Sequence, residues 1–159
     1  MHDLRVATNE GKLPMEPDFL RTAAGEGKLV VLAVHHVILD AHKAEFGDGA
    51  VMVDGRVAVH DRQGAVDRFQ ADPDCRVFIG QIQAAGTGLT LTAASHVVFV
   101  EFDWRPGVLA QAEDRCHRIG QRDCVTVGYL VIEDSLDDLQ LSVVEKKQET
   151  LTRTLDVGH

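Results

Sequence analysis

Short apolar runs alternate with segments of helical periodicity along this chain. Such runs are typical of strands buried on both faces. The runs that predict strands lie at 29–34, 50–55, 76–83, 96–102 and 125–132. Helices are predicted from about Pro14 to Ala24 and at 37–46, 60–71 and 135–151. Strands alternating with helices predict an α/β fold with a mainly parallel sheet covered on both sides. We expect the core to include Ile38, Phe69, Phe78, Val98, Phe99 and Leu130.

Polar and Gly residues follow the predicted strands at the points where they end. They are His35–His36, Asp54–Gly55, Gln81 to Gly88 and Glu101 to Trp104. In open parallel sheets, ligands bind outside the carboxyl ends of the strands. We therefore expect a functional site at this edge.

The segment 111–121, QAEDRCHRIGQ, carries the strongest candidate chemistry. On a helix, Gln111, Arg115 and Arg118 share one face because they are spaced four and three apart. The guanidinium of Arg is always charged and offers a planar fork of donors that suits phosphate oxygens. By periodicity alone, the alternative is a solvated face with an Arg–Glu pair, since Glu113 is close by.

Composition narrows the classes of function. The 159 residues carry 25 acidic and 16 basic side chains, a formal net charge of −9. This excess of acidic residues argues against a chain that binds nucleic acid through its overall charge. Any contact with phosphate must therefore come from a local patch of the surface. The three Cys form no C-x-x-C pair and predict neither a disulfide framework nor a zinc site. No apolar run approaches ~18 residues, so no membrane span is expected. The polar N-terminus is unlike a signal peptide, and secretion is not expected.

A long stretch of the chain is similar to a known family. HRIGQ, with AAGTGLTLTAASHVVFVEFDWRPGVLAQAEDR before it, resembles motifs V and VI of the Swi/Snf family of superfamily-two DNA-dependent ATPases. Within that family it looks most like the annealing-helicase and fork-remodelling branch. The first strand with its two His resembles motif IV, and the VDG at 53–55 begins a further matching block.

The resemblance implies a RecA-like (P-loop NTPase-like) three-layer lobe. The family has two such lobes with ATP in the cleft between them, and this chain resembles only the C-terminal one. The expected divisions are a lead-in and first helix at 1–27, the lobe at 28–134, and a C-terminal helix and tail at 135–159.

The N-terminal lobe of the family holds the phosphate loop G-x-x-x-x-G-K-[ST] and an acidic pair for magnesium. Neither is found here: Gly25-Glu26-Gly27-Lys28 is followed by Leu29 and precedes a strand, and Asp40-Ala41-His42 lacks the Glu of a D-E-x-H box. We therefore expect ATP and Mg²⁺ to be held by an N-terminal lobe, in cis or in trans. The isolated chain is expected to be inactive.

Residue roles follow from the resemblance. Arg115 and Arg118 would be arginine fingers, with Arg118 the stronger candidate, because phosphoryl transfer needs positive charge at the γ-phosphate. Gln111 would hydrogen-bond near the nucleotide and couple the lobes. Gly86 and Gly88 would let the backbone approach the nucleotide or its coupling network. An ordinary strand-to-helix turn is the alternative reading of these glycines.

The expected DNA contacts run mostly to backbone phosphates, which carry little sequence information. The candidates are His36, Gly55, Arg56, Gln81, Gln83, Trp104 and Arg105. The family often has Ser or Thr at position 81, Asn at 105 and a small hydroxyl residue at 56. Arg56 would add a positive charge that favours phosphate. His35 is expected to be a structural hydrogen-bonding residue.

The functional expectation is therefore the C-terminal lobe of a DNA-dependent ATPase that acts on double-stranded or branched DNA. Such a protein works in the cytoplasm of a bacterial or viral host, or in a eukaryotic nucleus. The alternative is a non-catalytic DNA- or protein-binding module derived from such a lobe. A dinucleotide-binding Rossmann domain is excluded because no G-x-G-x-x-G follows the first strand.

Overall fold

A computed structural model describes residues 16–85, 89–101, 107, 111 and 126–129. In this part of the chain five strands form one parallel sheet in the order β2-β3-β1-β4-β5. The strands are β1 (Leu29–Ala33), β2 (Ala50–Val53), β3 (Val77–Gln81), β4 (His96–Phe99) and β5 (Thr126–Tyr129). The predicted α/β class with a mainly parallel sheet is confirmed.

Helices connect the strands. They are α1 (Glu16–Glu26), α2 (His36–Phe46), α3 (Val59–Ala71) and the single turn α4 (Ile82–Ala85), with a 3₁₀ turn at Gly47–Gly49. The first four strands end earlier than predicted, at Ala33, Val53, Gln81 and Phe99. The prediction for β3 ran furthest into a helix, because Ile82 already begins α4. Leu130, the lead-in at 1–13 and the predicted helix at 135–151 lie outside the described residues.

The core has two halves, one on each face of the sheet. Alternate residues of β1 enter opposite halves, so all five are buried. Phe69 of α3 meets Phe78 of β3 edge to face on one side, with ring centroids 5.6 Å apart. Leu20 of α1 and Ile38 of α2 fill the other side. Of the predicted core residues, Ile38, Phe69, Phe78, Val98 and Phe99 are buried. Helix α1 thus packs on the same sheet as the rest, and the domain boundaries expected from the sequence stay predictions.

Basic side chains hold the helix ends at the amino edge of the sheet. Lys28 donates to the carbonyl oxygens of Phe69 and Asp72, at the end of α3. Arg76 donates to the Ala24 oxygen near the end of α1, at 2.8 and 3.0 Å. Cations here satisfy orphan carbonyls and complement the negative end of the helix dipole. These positive charges therefore stabilise the fold at the edge opposite the expected site.

Candidate functional site

The opposite edge of the sheet gathers the polar residues that follow β1 to β4. We call this the carboxyl edge and define it as residues 34–36, 54–56, 81–83 and 101. Because neighbouring strands are parallel and in register, all four strand ends reach the same level. Hydrogen bonds between side chains and loop backbone then join one strand end to the next.

Glu101 ties the end of β4 to the start of α2. Its side chain is 1% exposed, and its Oε2 accepts the backbone N–H groups of Val34 and His35 at 2.8 and 2.7 Å. Its Oε1 lies 2.5 Å from Nδ1 of His35. The Glu101 carboxylate therefore fixes the loop between β1 and α2, and His35 has the structural role expected of it.

Gln81 continues this connection toward β2. Its Nε2 donates to the carbonyl oxygen of Val34 at 3.0 Å, and its Oε1 accepts the N–H of Gly55 at 2.9 Å. The carboxamide therefore bridges the ends of β1 and β2 over β3, which lies between them. A Cβ at Gly55 would lie 3.4 Å from this Oε1, in van der Waals contact with the bridge.

Arg56 lies between two carboxylates. Asp54 is buried, and its Oδ2 accepts hydrogen bonds from Nε and Nη2 of Arg56 at 2.8 and 2.5 Å. Its Oδ1 accepts the backbone N–H of Arg56 at 2.8 Å. Asp40 of α2 accepts from Nη2 and Nη1 of the same guanidinium at 2.6 and 3.1 Å. Nδ1 of His36 lies 3.2 Å from Asp54, which completes a compact charged cluster.

Contacts within the cluster shift the pKa values of Asp54, Asp40 and Arg56. Burial would raise the pKa of Asp54, but hydrogen bonds from the side chain and backbone of Arg56 outweigh it, and the pKa lies below its ordinary value. The side-chain hydrogen bond from Arg56 also lowers the pKa of Asp40. The same contacts raise the already high pKa of Arg56. Two carboxylates and one guanidinium are therefore charged together at neutral pH.

Internal partners also occupy the other basic side chains. Every Lys and Arg in the described part of the chain donates to an acceptor of this same chain. Arg62, next to the carboxyl edge, donates to the Val57 oxygen at 3.1 Å. Positive charge in this part of the chain is thus largely committed to the fold, in agreement with the net charge of −9.

The structure brings five of the sequence-predicted residues to the carboxyl edge. His36, Gly55, Arg56 and Gln83 are exposed there, and Gln81 is half-buried. Gly107 and Gln111 have helical backbone and are exposed. The other candidates, Arg115, Arg118, Gly86, Gly88, Trp104 and Arg105, lie outside the described residues.

Sequence reasoning missed the roles of Glu101 and Asp40. A signal for Glu101 was present, because a lone acid within an apolar run needs buried partners. Asp40 had no such signal, because an acid on an exposed helix face is ordinary.

The described residues contain no cluster of three His, Cys, Asp or Glu side chains that could hold a metal ion. The buried carboxylates of Asp54 and Glu101 already accept N–H donors, so they do not suit Mg²⁺. In the same part of the chain, no helix has the length and apolar character needed to cross a membrane.

A parallel sheet covered by helices on both faces, with its polar cluster at the carboxyl ends of the strands, is the architecture of an open α/β lobe, the class to which RecA-like lobes belong. Residues 18–120 match the family described as "Helicase conserved C-terminal domain", and the chain belongs to that family.

The relatives include SWI/SNF-related proteins and annealing helicases, in agreement with the motifs. The chain is 42% identical over 127 residues to the SWI/SNF-related matrix-associated actin-dependent regulator of chromatin subfamily A-like protein 1 homolog of Caenorhabditis elegans, which covers 78% of this chain and 18% of that protein. It is 45% identical over 132 residues to the DNA annealing helicase and endonuclease ZRANB3 of Mus musculus, which covers 81% of this chain and 12% of that protein. The chain thus spans less than a fifth of either relative.

The C-terminal part of the Fun30 ATPase domain has the same fold. Its crystal structure superposes with a TM-score of 0.77 at 27% identity, over 84% of this chain and 45% of that one. The predicted resemblance to the C-terminal lobe of Swi/Snf-type annealing helicases is therefore confirmed.

Proposed function

We propose that this chain works as the C-terminal lobe of a Swi/Snf-like DNA-dependent ATPase and DNA translocase. In this proposal Arg115 and Arg118 act as arginine fingers in an ATP site that an N-terminal lobe completes. The carboxyl edge forms part of the track for double-stranded or branched DNA. The compartment is the one that holds the host DNA, which is the nucleus in a eukaryote.

One observation carries the proposal. The family match extends to residue 120 and so includes Gln111, Arg115 and Arg118, whereas the sequence contains no G-x-x-x-x-G-K-[ST]. Residues that would act on the γ-phosphate are present without those that would hold the triphosphate. This combination fits one half of a site between two lobes.

For a related reason, the N-terminal lobe would be the one that binds Mg²⁺. In the described residues, the two buried carboxylates of the carboxyl edge are filled by N–H donors of Val34, His35 and Arg56. The metal would supply charge neutralisation at the phosphates. This chain would add the charge of Arg115 and Arg118 from the other side of the cleft, with Gln111 placed to couple the lobes.

Glu101 links the proposed DNA contacts to the strand end from which the arginine segment follows. It precedes the segment that carries Gln111 and the two arginines. Its carboxylate accepts hydrogen bonds from Val34 and His35, in the loop just before His36, and through Val34 and Gln81 this loop is bonded to Gly55. Hydrogen bonds across the strand ends therefore join Gly55 and Gln81, two of the proposed DNA contacts, to Glu101, which precedes the arginine segment in the chain.

The experiment is to combine the chain with an N-terminal lobe, in cis or in trans, and to measure DNA-stimulated ATP hydrolysis. Loss of an arginine finger lowers the rate about 10³–10⁵-fold, roughly 4–7 kcal/mol of barrier. We expect this for Arg118→Ala, with poor recovery for Arg118→Lys, whose point charge cannot reproduce the fork. The chain without an N-terminal lobe should release no phosphate in response to DNA.

Arg68→Ala is the matched control. Arg68 is a partly exposed Arg that contacts Asp72 and the Asp48 oxygen, and its loss should leave the rate within a few-fold of the parent. If Arg118→Ala behaves like Arg68→Ala and instead weakens DNA or partner binding, the arginine-finger role is wrong. A non-catalytic binding module would then be the better description.

A further inference from the structure

Arg56 is half exposed at the carboxyl edge, with 49% of its side chain accessible. Its outward side is nevertheless occupied, because Asp40 accepts hydrogen bonds from both terminal nitrogens at 2.6 and 3.1 Å. Arg binds a phosphate with this same arrangement, in which two parallel N–H groups donate to two oxygens of one anion. The Asp40 carboxylate therefore takes the place that a phosphate would occupy.

The two carboxylates that contact Arg56 differ in how firmly they are held. Asp54 is 1% exposed and also accepts the backbone N–H of Arg56, so it is part of the folded edge. Asp40 is 51% exposed on α2. An ion pair at this exposure changes an equilibrium constant by at most about fivefold. A competing anion can therefore displace Asp40 while Asp54 keeps the guanidinium in position.

We propose that Asp40 is an internal competitor for a DNA backbone phosphate at Arg56, and that it limits the affinity of this edge for DNA. With Asp40 bound, the cluster of Arg56, Asp40 and Asp54 has a formal charge of −1 and repels the DNA backbone. On random duplex Asp40 stays on Arg56, and only a phosphate that the rest of the lobe holds against this edge replaces it and gains the contact with Arg56. Asp40 is in this way a residue that determines specificity: it suppresses contacts with DNA that the rest of the lobe has not positioned. The inference rests on the proposed DNA track.

The test is the affinity for a random-sequence DNA duplex, measured by fluorescence anisotropy over a range of salt concentrations. The protein is the chain together with its N-terminal lobe. Asp40→Asn should bind about two- to fivefold more tightly at low salt, which is the range set by a surface ion pair. Its plot of log affinity against log salt should steepen by about 0.9, the value for one additional phosphate contact.

Asp67→Asn is the matched control for bulk charge. Asp67 is exposed on α3 and accepts a hydrogen bond from Gln63, at 2.8 Å. This variant removes the same unit of negative charge and should leave the salt slope unchanged. If Asp67→Asn and Asp40→Asn raise affinity equally, with equal slopes, the inference fails.

A double-mutant cycle then assigns the effect to Arg56. Arg56→Gln should cancel the gain made by Asp40→Asn and should change the affinity of the parent little. Equal losses in both backgrounds would show that Arg56 already contacts DNA beside Asp40, and would overturn the inference. Where Arg56→Gln fails to fold, Arg56→Lys keeps a charge beside Asp54, and its loss of two-point geometry should remove most of the gain.

The outcomes separate this inference from the proposed function. A parent that binds duplex DNA but is indifferent to Asp40→Asn overturns the inference alone. If neither the parent nor Asp40→Asn binds the duplex, the proposed DNA track fails and the inference fails with it. Binding that appears only in Asp40→Asn supports both.

Discussion

Removing the side chain of Glu101 should destabilise the lobe strongly. In Glu101→Ala the backbone N–H groups of Val34 and His35 lose the Glu101 carboxylate as acceptor, and the 2.5 Å contact between that carboxylate and the His35 ring is lost. Each unsatisfied buried donor costs about 1–3 kcal/mol, and more where its hydrogen bond is to a charged group. We therefore expect a loss of about 3–5 kcal/mol, against a total stability of about 5–15 kcal/mol for a domain. Glu101→Gln keeps one acceptor oxygen and should lose about 1–2 kcal/mol.

The assay is urea unfolding followed by far-ultraviolet circular dichroism at neutral pH. Glu26→Ala is the matched control, since Glu26 is 66% exposed and lies 3.7 Å from Nε2 of His96. Such a surface pair contributes about 0–1 kcal/mol. The free energy of unfolding should fall in the order Glu26→Ala, Glu101→Gln, Glu101→Ala, with unchanged dependence on urea. A loss below about 1 kcal/mol for Glu101→Ala, or equality with Glu26→Ala, would refute the reasoning.

Two further predictions concern backbone contacts and pH. A Cβ at Gly27 would lie 2.7 Å from Cβ and Oγ of Ser95, whereas one at Gly25 meets nothing within 4 Å; Gly27→Ala should cost about 1–3 kcal/mol, while Gly25→Ala in α1 should be neutral or up to about 1 kcal/mol stabilising. Equal melting temperatures for the two variants would contradict this contact. Burial would raise the pKa of Asp54, but hydrogen bonds from Arg56 outweigh it and the pKa is lowered. The folded state therefore binds the Asp54 proton less tightly than the unfolded state does. As a result, the free energy of unfolding falls as the pH drops below about 4. Unfolding of Asp54→Asn should respond less to acid than that of the parent or of Asp67→Asn, and parallel acid curves would show that Asp54 does not carry the effect.

The strands could be predicted because burial on both faces leaves a direct mark in the sequence. In β1 all five residues are apolar and buried, so a continuous run is sufficient. The end of β3 could not be placed in the same way. Gln81 and Gln83 look alike in the sequence, yet Gln81 closes the strand with a carboxamide bonded to Val34 and Gly55, and Gln83 is exposed on α4. The partners of Gln81 are distant in sequence, so local periodicity cannot indicate them.

The candidate site shows the same division between local and distant information. The position of His36, Gly55 and Arg56 at one edge follows from strands that are parallel, because their carboxyl ends must coincide. The partner of Arg56 cannot be inferred from the parallel strands. A positive charge after a strand suits a phosphate, and only the packing of α2 beside β2 places the Asp40 carboxylate on the guanidinium. The roles of Arg115 and Arg118 stay predictions from the motif.

The strand order has a consequence for how this chain folds as it is made. The first strand, β1, pairs with β3 and β4, and β2 pairs with β3, so neither of the first two strands can pair until Val77 to Gln81 have been synthesised. Closing such long loops before any pairing contact forms makes folding slow. Until then, two apolar strands with open edges leave the ribosome without partners, and such edges are templates for pairing between chains. A nascent chain that stalls before β3 therefore exposes strand edges that can pair with other chains, and the arrival of β3 covers one edge of β1 and one edge of β2.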